Sequence, residues 1–504
     1  MKHLFIRKSI AQLHKEMEGE HRLRRCLGPI QLTSLGIGCI IGTGIFVLSG
    51  QAAHDKAGPA LSLSFVVAGV ICIFAGLCYA EFASMVPVAG SAYTYAYATL
   101  GELAAWIIGW DLILEYTVAS STVAHGWSHY FQSFLSSFGV AIPNVIHTAP
   151  FDYNPTLGKI VGTGAVLDLP AMVITAVLCV ILVLGIRGSA SFNAVMVAIK
   201  LAVVLFVIVV GAFYVNPANW KPFAPYGYGG ISLFGWTLLG QTGKGGEPLG
   251  MLAGAAIIFF AYIGFDSVST HAEEAKNPRR DVPIGIMASL LLCTVLYIAV
   301  VTVLTGMVPY DQINIDAPVA DAFRQMGLPW AHRLISIGAV TGITSVLLVL
   351  MLSQPRVMLA MARDGLVPPR VFGNVHPRFR TPWISQIIMG FAVAAMAGFL
   401  PLRILAELVN IGTLLAFVVV CAAVLILRRT HPHAHRPFRA PLVPLVPLLG
   451  MGGSLMLMFS LPVENWLRLF IWLLVGFVIY FLYGRWHSEL RRAMQEPPLP
   501  GEEK

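Results

Sequence analysis

The sequence predicts an all-α membrane protein with twelve transmembrane helices. Two properties of the whole chain carry this. Its 504 residues are 57% apolar and only 12% charged, with a mean hydropathy of +0.76, whereas soluble chains carry roughly 25% charged residues. Apolar runs of about 18 residues or more, enough to span a bilayer, recur along the whole length. A third observation concerns function. The first run is broken by glycines, in Leu35-Gly36-Ile37-Gly38-Cys39-Ile40-Ile41-Gly42-Thr43-Gly44-Ile45-Phe46.

In order, the runs cover 32–52, 60–84, 102–134, 170–187, 193–215, 251–270, 284–308, 332–362, 382–401, 404–428, 441–461 and 465–484. The third contains charges and the eighth is long, so tilt or extra turns beyond the bilayer are expected there. In the first, each glycine costs about 1 kcal/mol relative to alanine in a helix interior. Four of them around Thr43 predict an unwound segment at membrane depth. Lipid offers no hydrogen-bond partners, so freed backbone groups must line a cavity or be buried in protein. Polar substrates of secondary transporters bind at such breaks. The sixth run holds Phe259-Phe260-Ala261-Tyr262-Ile263-Gly264-Phe265-Asp266-Ser267, with a glycine beside an intramembrane acid. If runs 1–5 and 6–10 form an inverted pair, the two breaks correspond.

Charge sets the expected orientation. With the N-terminus inside, about 24 of the 33 Lys and Arg fall on the cytoplasmic side, about 8 outside, and Lys200 within a span. Both termini are then cytoplasmic. The net charge of +8 is scattered over short loops and predicts no nucleic-acid partner. Residues 1–28 contain no apolar signal segment. Leu4, Phe5, Ile10 and Leu13 beside Lys2, Arg7, Lys8 and Lys15 fit a short helix on the membrane surface and fit a solvated tail as well. Seven cysteines lie singly in or beside apolar runs and read as reduced packing residues without metal spacing. Two longer loops, 135–168 and 216–250, lie on the outer side. Within the second, Gly240 to Gly246 lacks the spacing of a phosphate loop. The proline-rich tail from Glu496 is expected to be disordered.

Several motifs together resemble the amino acid–polyamine–organocation superfamily. They are the glycine run at 36–44, Tyr79 to Ala83, Pro87-Val88-Ala89-Gly90-Ser91-Ala92-Tyr93, Gly109 to Tyr116, Phe260 to Ser267, Glu273 to Arg280, Arg363-Asp364-Gly365-Leu366 and Asn410 to Leu414. The pattern is most similar to the bacterial branch of the cationic amino acid transporter family and covers residues 25–490. The resemblance implies a LeuT-like fold of two inverted five-helix repeats followed by two extra helices. Residues 1–28 would be a cytoplasmic segment, 29–430 helices one to ten, 431–487 helices eleven and twelve, and 488–504 a cytoplasmic tail.

The break in run 1 suits an amino acid. Free N–H groups at Gly42, Thr43 and Gly44 face the cavity, at the positive end of the following half-helix. The resemblance likewise implies the substrate carboxylate near Thr43 and Gly44. It implies the ammonium between the backbone of Ile40 and that of Phe260, Ala261 and Ile263. Close packing through small residues is the other reading. Lys200 lies about 10 Å into the bilayer, where a lysine costs about 2.5–3.5 kcal/mol. Burial penalises the ammonium, so it can release and regain a proton during a cycle; snorkelling is the other reading. The resemblance agrees, because family members carry a lysine where sodium-coupled relatives hold a cation.

Asp111 and Glu115 share a face of run 3. Glu115 is expected to pair with Lys200 or with hydroxyls such as Thr43 and to tune coupling; a structural hydrogen-bond pair is equally open. Asp266 leans structural. Glu81, Glu273 and Glu274 read as solvated groups or gating ion pairs near cytoplasmic ends, and Glu407 receives no role. Met351, in the eighth run, is expected to line the side-chain pocket or to pack between helices. The reading is a proton-coupled symporter of the cytoplasmic membrane for small or medium neutral amino acids. The alternative is a cationic amino acid carrier or amino acid/polyamine exchanger. No enzyme activity and no cofactor other than the coupling proton are expected. The partners are the amino acid and the bilayer, with no accessory subunit assigned.

Overall fold

The computed structural model describes residues 6–8, 27–86, 90–154, 159–185, 189–243, 246–379 and 381–495. The proposed N-terminal surface helix, apart from residues 6–8 and 27–28, and the tail from Glu496 lie outside the described residues, as do Pro87 to Ala89 and Lys244-Gly245. Among the described residues, eight helices are long and apolar enough to cross a membrane, and four shorter apolar helices complete the predicted spans.

The first span is two pieces. Helix α1 (Pro29–Ile40) starts with proline at its first position, where the missing N–H is not needed. It stops at Ile41, whose backbone is extended (φ −76°, ψ 103°). The chain becomes helical again at Gly44–Leu48 and runs through Ser49–Ala52 to Ala53–Ala57, with two of these three turns wound as π-helix. Gly58 turns it at φ +58° into α2 (Leu61–Met85). The short α3 (Ala92–Thr99) leads to α4 (Glu102–Ser136). Next come α5 (Leu169–Leu184) and α6 (Ser189–Ala212).

The sixth span is also interrupted. Helix α7 (Met251–Ile258) tightens into a 3-10 turn, Phe259–Tyr262, and opens at Ile263 (ψ 135°). Gly264 then takes φ +113°, a region L side chains rarely adopt. A Cβ there would lie 2.8 Å from that of Cys39 on α1. The chain resumes as Ser267–Thr270. Helix α8 (Pro278–Met307) packs on α1 and α2. A short α9 (Pro318–Gln325) precedes α10 (Pro329–Arg363), which packs along α4. Then follow α11 (Trp383–Phe399), α12 (Leu402–Thr430), α13 (Leu445–Phe459) and α14 (Val463–Ile479).

The long loops are not structureless. Antiparallel hairpins pair Phe151–Asn154 with Lys159–Gly162 and Ile231–Leu233 with Trp236–Leu239. Hairpins of this kind satisfy backbone groups locally, which periodicity in an apolar scan does not reveal. The expected tail carries a helix, α15 (Glu489–Gln495).

Both ends of the described chain meet on one face. The Ile6 carbonyl accepts from the Glu102 amide at 2.9 Å. Lys8 is buried with its ammonium 2.5 Å from Asp364, so at this residue neither a surface helix nor a solvated tail holds. The Glu489 amide donates to the Asp364 carbonyl at 3.1 Å. On the same face Glu81 is 1% exposed and is clamped by Arg428 (2.7 Å) and Arg436 (3.3 Å), and Glu274 pairs with Arg356 at 3.1 Å. The ion-pair reading of these two acids therefore replaces the solvated one; the Glu273 side chain is not among those described.

Candidate substrate and coupling site

The two breaks cross in the middle of the protein. At Gly44, a Cβ would come 2.4 Å from the Ala261 Cα and 2.6 Å from its Cβ. Glycine is thus required for the contact between the breaks. At Gly42 the Cβ position is 2.8 Å from Val346 Cγ2 on α10. Small residues at 42 and 44 therefore serve close packing, the alternative raised from sequence, and that packing is what brings the freed backbone groups together. Among the described residues, no hydrogen bond closes onto the amides of Gly42 and Thr43. The Thr43 hydroxyl is buried and also without a partner among them. These are unused donors at one point, in a place closed to bulk water.

The acceptors are organised by a residue that sequence reasoning missed. Tyr297, buried on α8, holds its hydroxyl 2.7 Å from the Ile40 carbonyl and 2.9 Å from the Ala261 carbonyl, its one proton shared between the two acceptors. It bridges the two breaks. Each carbonyl oxygen keeps a second lone pair for another donor. The Phe260 carbonyl accepts from the Ile263 amide at 3.1 Å. No sequence signal separated Tyr297 from the packing tyrosines, because its role depends on where α8 crosses α1. Tyr297→Phe keeps the ring and removes both contacts. At about 1 kcal/mol per net hydrogen bond, it is expected to lower stability by about 1–2 kcal/mol and to weaken substrate affinity several-fold. A thermal melt with and without substrate measures both.

Lys200 is 0% exposed, so it does not snorkel. Its ammonium donates to the Gly38 carbonyl (2.6 Å), the Ile41 carbonyl (3.0 Å) and the Ser345 hydroxyl (2.9 Å). An ammonium has three protons, and each has one acceptor here. Two acceptors are carbonyls at the C-terminal end of α1, where a positive charge complements the helix dipole. The third is on α10. Lys200 thereby ties the broken helix to the fifth and eighth spans.

Glu115 does not belong to this group. It is buried, and among the described residues its carboxylate oxygens have no hydrogen-bond partner, neither Lys200 nor Thr43. It lies instead among Asp111, Asp266 and Thr413. The reason is depth along the helix: Gly126, which meets the methyl of Thr43, shares the face of Glu115 on α4 but lies about three turns, roughly 16 Å, further along. Asp266 accepts from the Tyr116 hydroxyl at 2.9 Å, a structural bond between α4 and the sixth span.

Met351 is buried and takes the second of its two expected places, packing between helices. Its methyl lies 3.8 Å from the Cβ position of Gly390 on α11. Val346, which faces the break, is about 140° away around the helix. Val346, beside Ser345, is an α10 side chain at the break. The clue in sequence was the run Gly342-Ile343-Thr344-Ser345, small and polar in an otherwise apolar span.

Crossed helix interruptions, unused amide donors and a buried ammonium at membrane depth are features of a membrane transporter. The chain belongs to the amino acid permease family, whose model matches residues 27–486. It is 48% identical over 490 residues to the branched-chain amino acid permease BcaP of Bacillus subtilis (strain 168), covering 97% of this chain and 99% of that one. It is 46% identical over 492 residues to the methylthioribose transporter of the same organism, covering 98% and 100%. The vacuolar cationic amino acid transporter 4 of Arabidopsis thaliana is 38% identical over 435 residues, 86% of this chain and 68% of the relative. The protein is a multi-pass membrane transporter.

Proposed function

We propose that the protein is a proton-coupled symporter that imports small and medium neutral amino acids across the cytoplasmic membrane, with both termini inside. The observation that carries this reading is the match between the three donors of Lys200 and their three acceptors. A neutral amine has only two N–H groups. Loss of the proton therefore breaks at least one link among α1, α6 and α10, and frees the broken helix to move against its neighbours. Protonation and helix position become one equilibrium. The substrate carboxylate would take the Gly42 and Thr43 amides and the Thr43 hydroxyl. Its ammonium would take the remaining lone pairs of the Ile40 and Ala261 carbonyls. The side chain would then face apolar groups such as Val346. The relative named as a branched-chain amino acid permease supports neutral substrates. The excess of Lys and Arg in loops on the terminal face supports the orientation.

The methylthioribose relative supports a second reading, a neutral sugar thioether as substrate. One uptake panel in proteoliposomes decides between them. Leucine, isoleucine, valine, alanine, arginine, putrescine and methylthioribose are supplied with an acid exterior, and again after a protonophore. Accumulation of neutral amino acids that collapses with the protonophore is the expected result. Gradient-independent counterflow of arginine against putrescine would instead establish an exchanger.

A further inference from the structure

A β-hairpin outside the spanning helices carries an apolar surface that the described chain leaves uncovered. It lies in the loop between α6 and α7, with strands Ile231–Leu233 and Trp236–Leu239. Trp236, Leu238 and Leu239 are 79%, 66% and 62% exposed, and Leu233, the cross-strand partner of Trp236, is exposed beside them. Successive side chains of a strand point to opposite faces. The pair Ser232 and Thr237 accordingly turns inward, and the Ser232 hydroxyl donates to the Ser460 carbonyl at 2.8 Å. The sequence around the hairpin is uncharged: residues 222–243 contain no Asp, Glu, Lys, Arg or His. A water-washed stretch of this length would carry about five charged residues at the usual frequency.

The position of the hairpin says what covers it. Its tip is fixed to the turn between α13 and α14. The Phe234 amide donates to the Phe459 carbonyl at 2.9 Å, and a Cβ at Gly235 would lie 3.2 Å from the Cα of Pro462. The Phe234 ring packs edge-on against Phe459 and Trp466. Only Ser460, Leu461 and Pro462 separate the two apolar helices, so this turn sits where the chain leaves the bilayer and re-enters it. The apolar surface continues from the hairpin into α14, whose Val463, Leu467 and Phe470 are also exposed. Tryptophan is enriched at this level of a membrane, where its ring meets both headgroups and acyl chains. A charged partner would find nothing to pair with on the hairpin itself.

We infer that the hairpin is an interfacial anchor, its face of Leu233, Trp236, Leu238 and Leu239 seated in the headgroup–acyl boundary of the leaflet away from the termini. The partner is a lipid surface held by burial of apolar side chains and not by charge. The anchor bears on both interrupted spans. The Gly230 amide donates to the Leu239 carbonyl at 2.7 Å, and the Leu252 amide at the start of α7 donates to the Gly229 carbonyl at 2.9 Å. Beside them the Gly250 amide donates to the Lys56 carbonyl, near the end of the first span, at 2.9 Å. A hairpin held by lipid therefore fixes the depth of the ends of both broken spans on this side.

The test uses the full chain in phosphatidylcholine nanodiscs holding one chain each. The emission of Trp236 is read as the difference between the wild type and Trp236→Phe. It is expected to be blue-shifted and insensitive to acrylamide. It is expected to fall by at least half when the lipid is brominated near the headgroup end of its chains, and to fall less when the bromine is near the chain tips. Leu238→Asp places on the same face a charge that lipid rejects. Read against the same variant lacking Trp236, it is expected to shift the emission to the red, to admit acrylamide and to lose at least half of the quenching by brominated lipid. Where Trp236→Phe inserts poorly, a bimane label on Leu238→Cys reads the same depth, with the labelling of the wild type subtracted. Red emission open to acrylamide in the wild type would place the face in water and overturn the inference. Shielding that requires two chains per disc would assign the face to a second copy and overturn it too. Unchanged lipid quenching in Leu238→Asp would show that the face does not hold the hairpin in the membrane, which also overturns it.

Discussion

Lys200→Ala is expected to abolish proton-driven accumulation altogether. The substitution removes three hydrogen bonds from a charged donor, each worth about 1.5–3 kcal/mol. It also leaves the Gly38 and Ile41 carbonyls unpaired beside the break. Two effects should therefore appear together. Uptake with an acid exterior falls to the level seen after a protonophore, and the pH dependence flattens because the titrating group is gone. Exchange of substrate across the membrane can survive, since it needs no proton. Lys200→Arg is the sharper control. Its guanidinium stays charged at working pH and is expected to hold the links to α1 permanently, stopping net transport. Both are checked by uptake with and without a proton gradient at matched protein in the membrane. Accumulation like that of the wild type in either variant would remove Lys200 from the coupling step.

Gly44→Val is expected to eliminate substrate binding. The first atom of any side chain at 44 arrives 2.4 Å from the Cα of Ala261. That neighbour is backbone and cannot swing aside. Overpacking of a filled core costs about 1–3 kcal/mol, and here relief requires the two breaks to separate. Separation pulls the Ala261 carbonyl away from the Tyr297 hydroxyl and dissolves the shared site. The affinity loss should exceed a hundredfold, with the thermal midpoint lowered by several degrees. Titrating the purified variant with leucine and following its melting temperature gives both values. Wild-type affinity would mean that the breaks do not need to touch. Gly42→Ala should be milder, because its Cβ meets the tip of a side chain, Val346, at 2.8 Å.

These two variants mark where sequence was informative. The break in the first span was legible because four glycines within one spanning length weaken a helix that lipid requires to be continuous. Lys200 was legible because charge at membrane depth is expensive. The second break was weaker in sequence, resting on Gly264 alone, and its φ of +113° supplies the reason for that glycine. The pairing of Glu115 with Lys200 and the pocket role of Met351 were not legible. Both depend on how the helices sit against one another: Glu115 shares the face of α4 that meets Thr43 but lies about three turns away along it, and Met351 is about 140° around α10 from Val346. Periodicity fixes which residues share a face, but not which neighbour that face meets.

The sequence by itself determined the solvent, the number of spans and the two interrupted helices, together with the buried lysine. These are local properties: hydropathy over some twenty residues, glycine spacing, and charge where lipid forbids it. Tertiary structure alone decided that Gly44 rests on Ala261, that Tyr297 joins the breaks and that Lys200 reaches Gly38, Ile41 and Ser345. It also set the hairpin of the loop between α6 and α7 against the turn between α13 and α14, far along the chain. The physical reason is common to all of these contacts. In a membrane each helix satisfies its own backbone, so sequence encodes the helices one at a time. Which of them cross, and at what rotation, is set by packing among all of them at once.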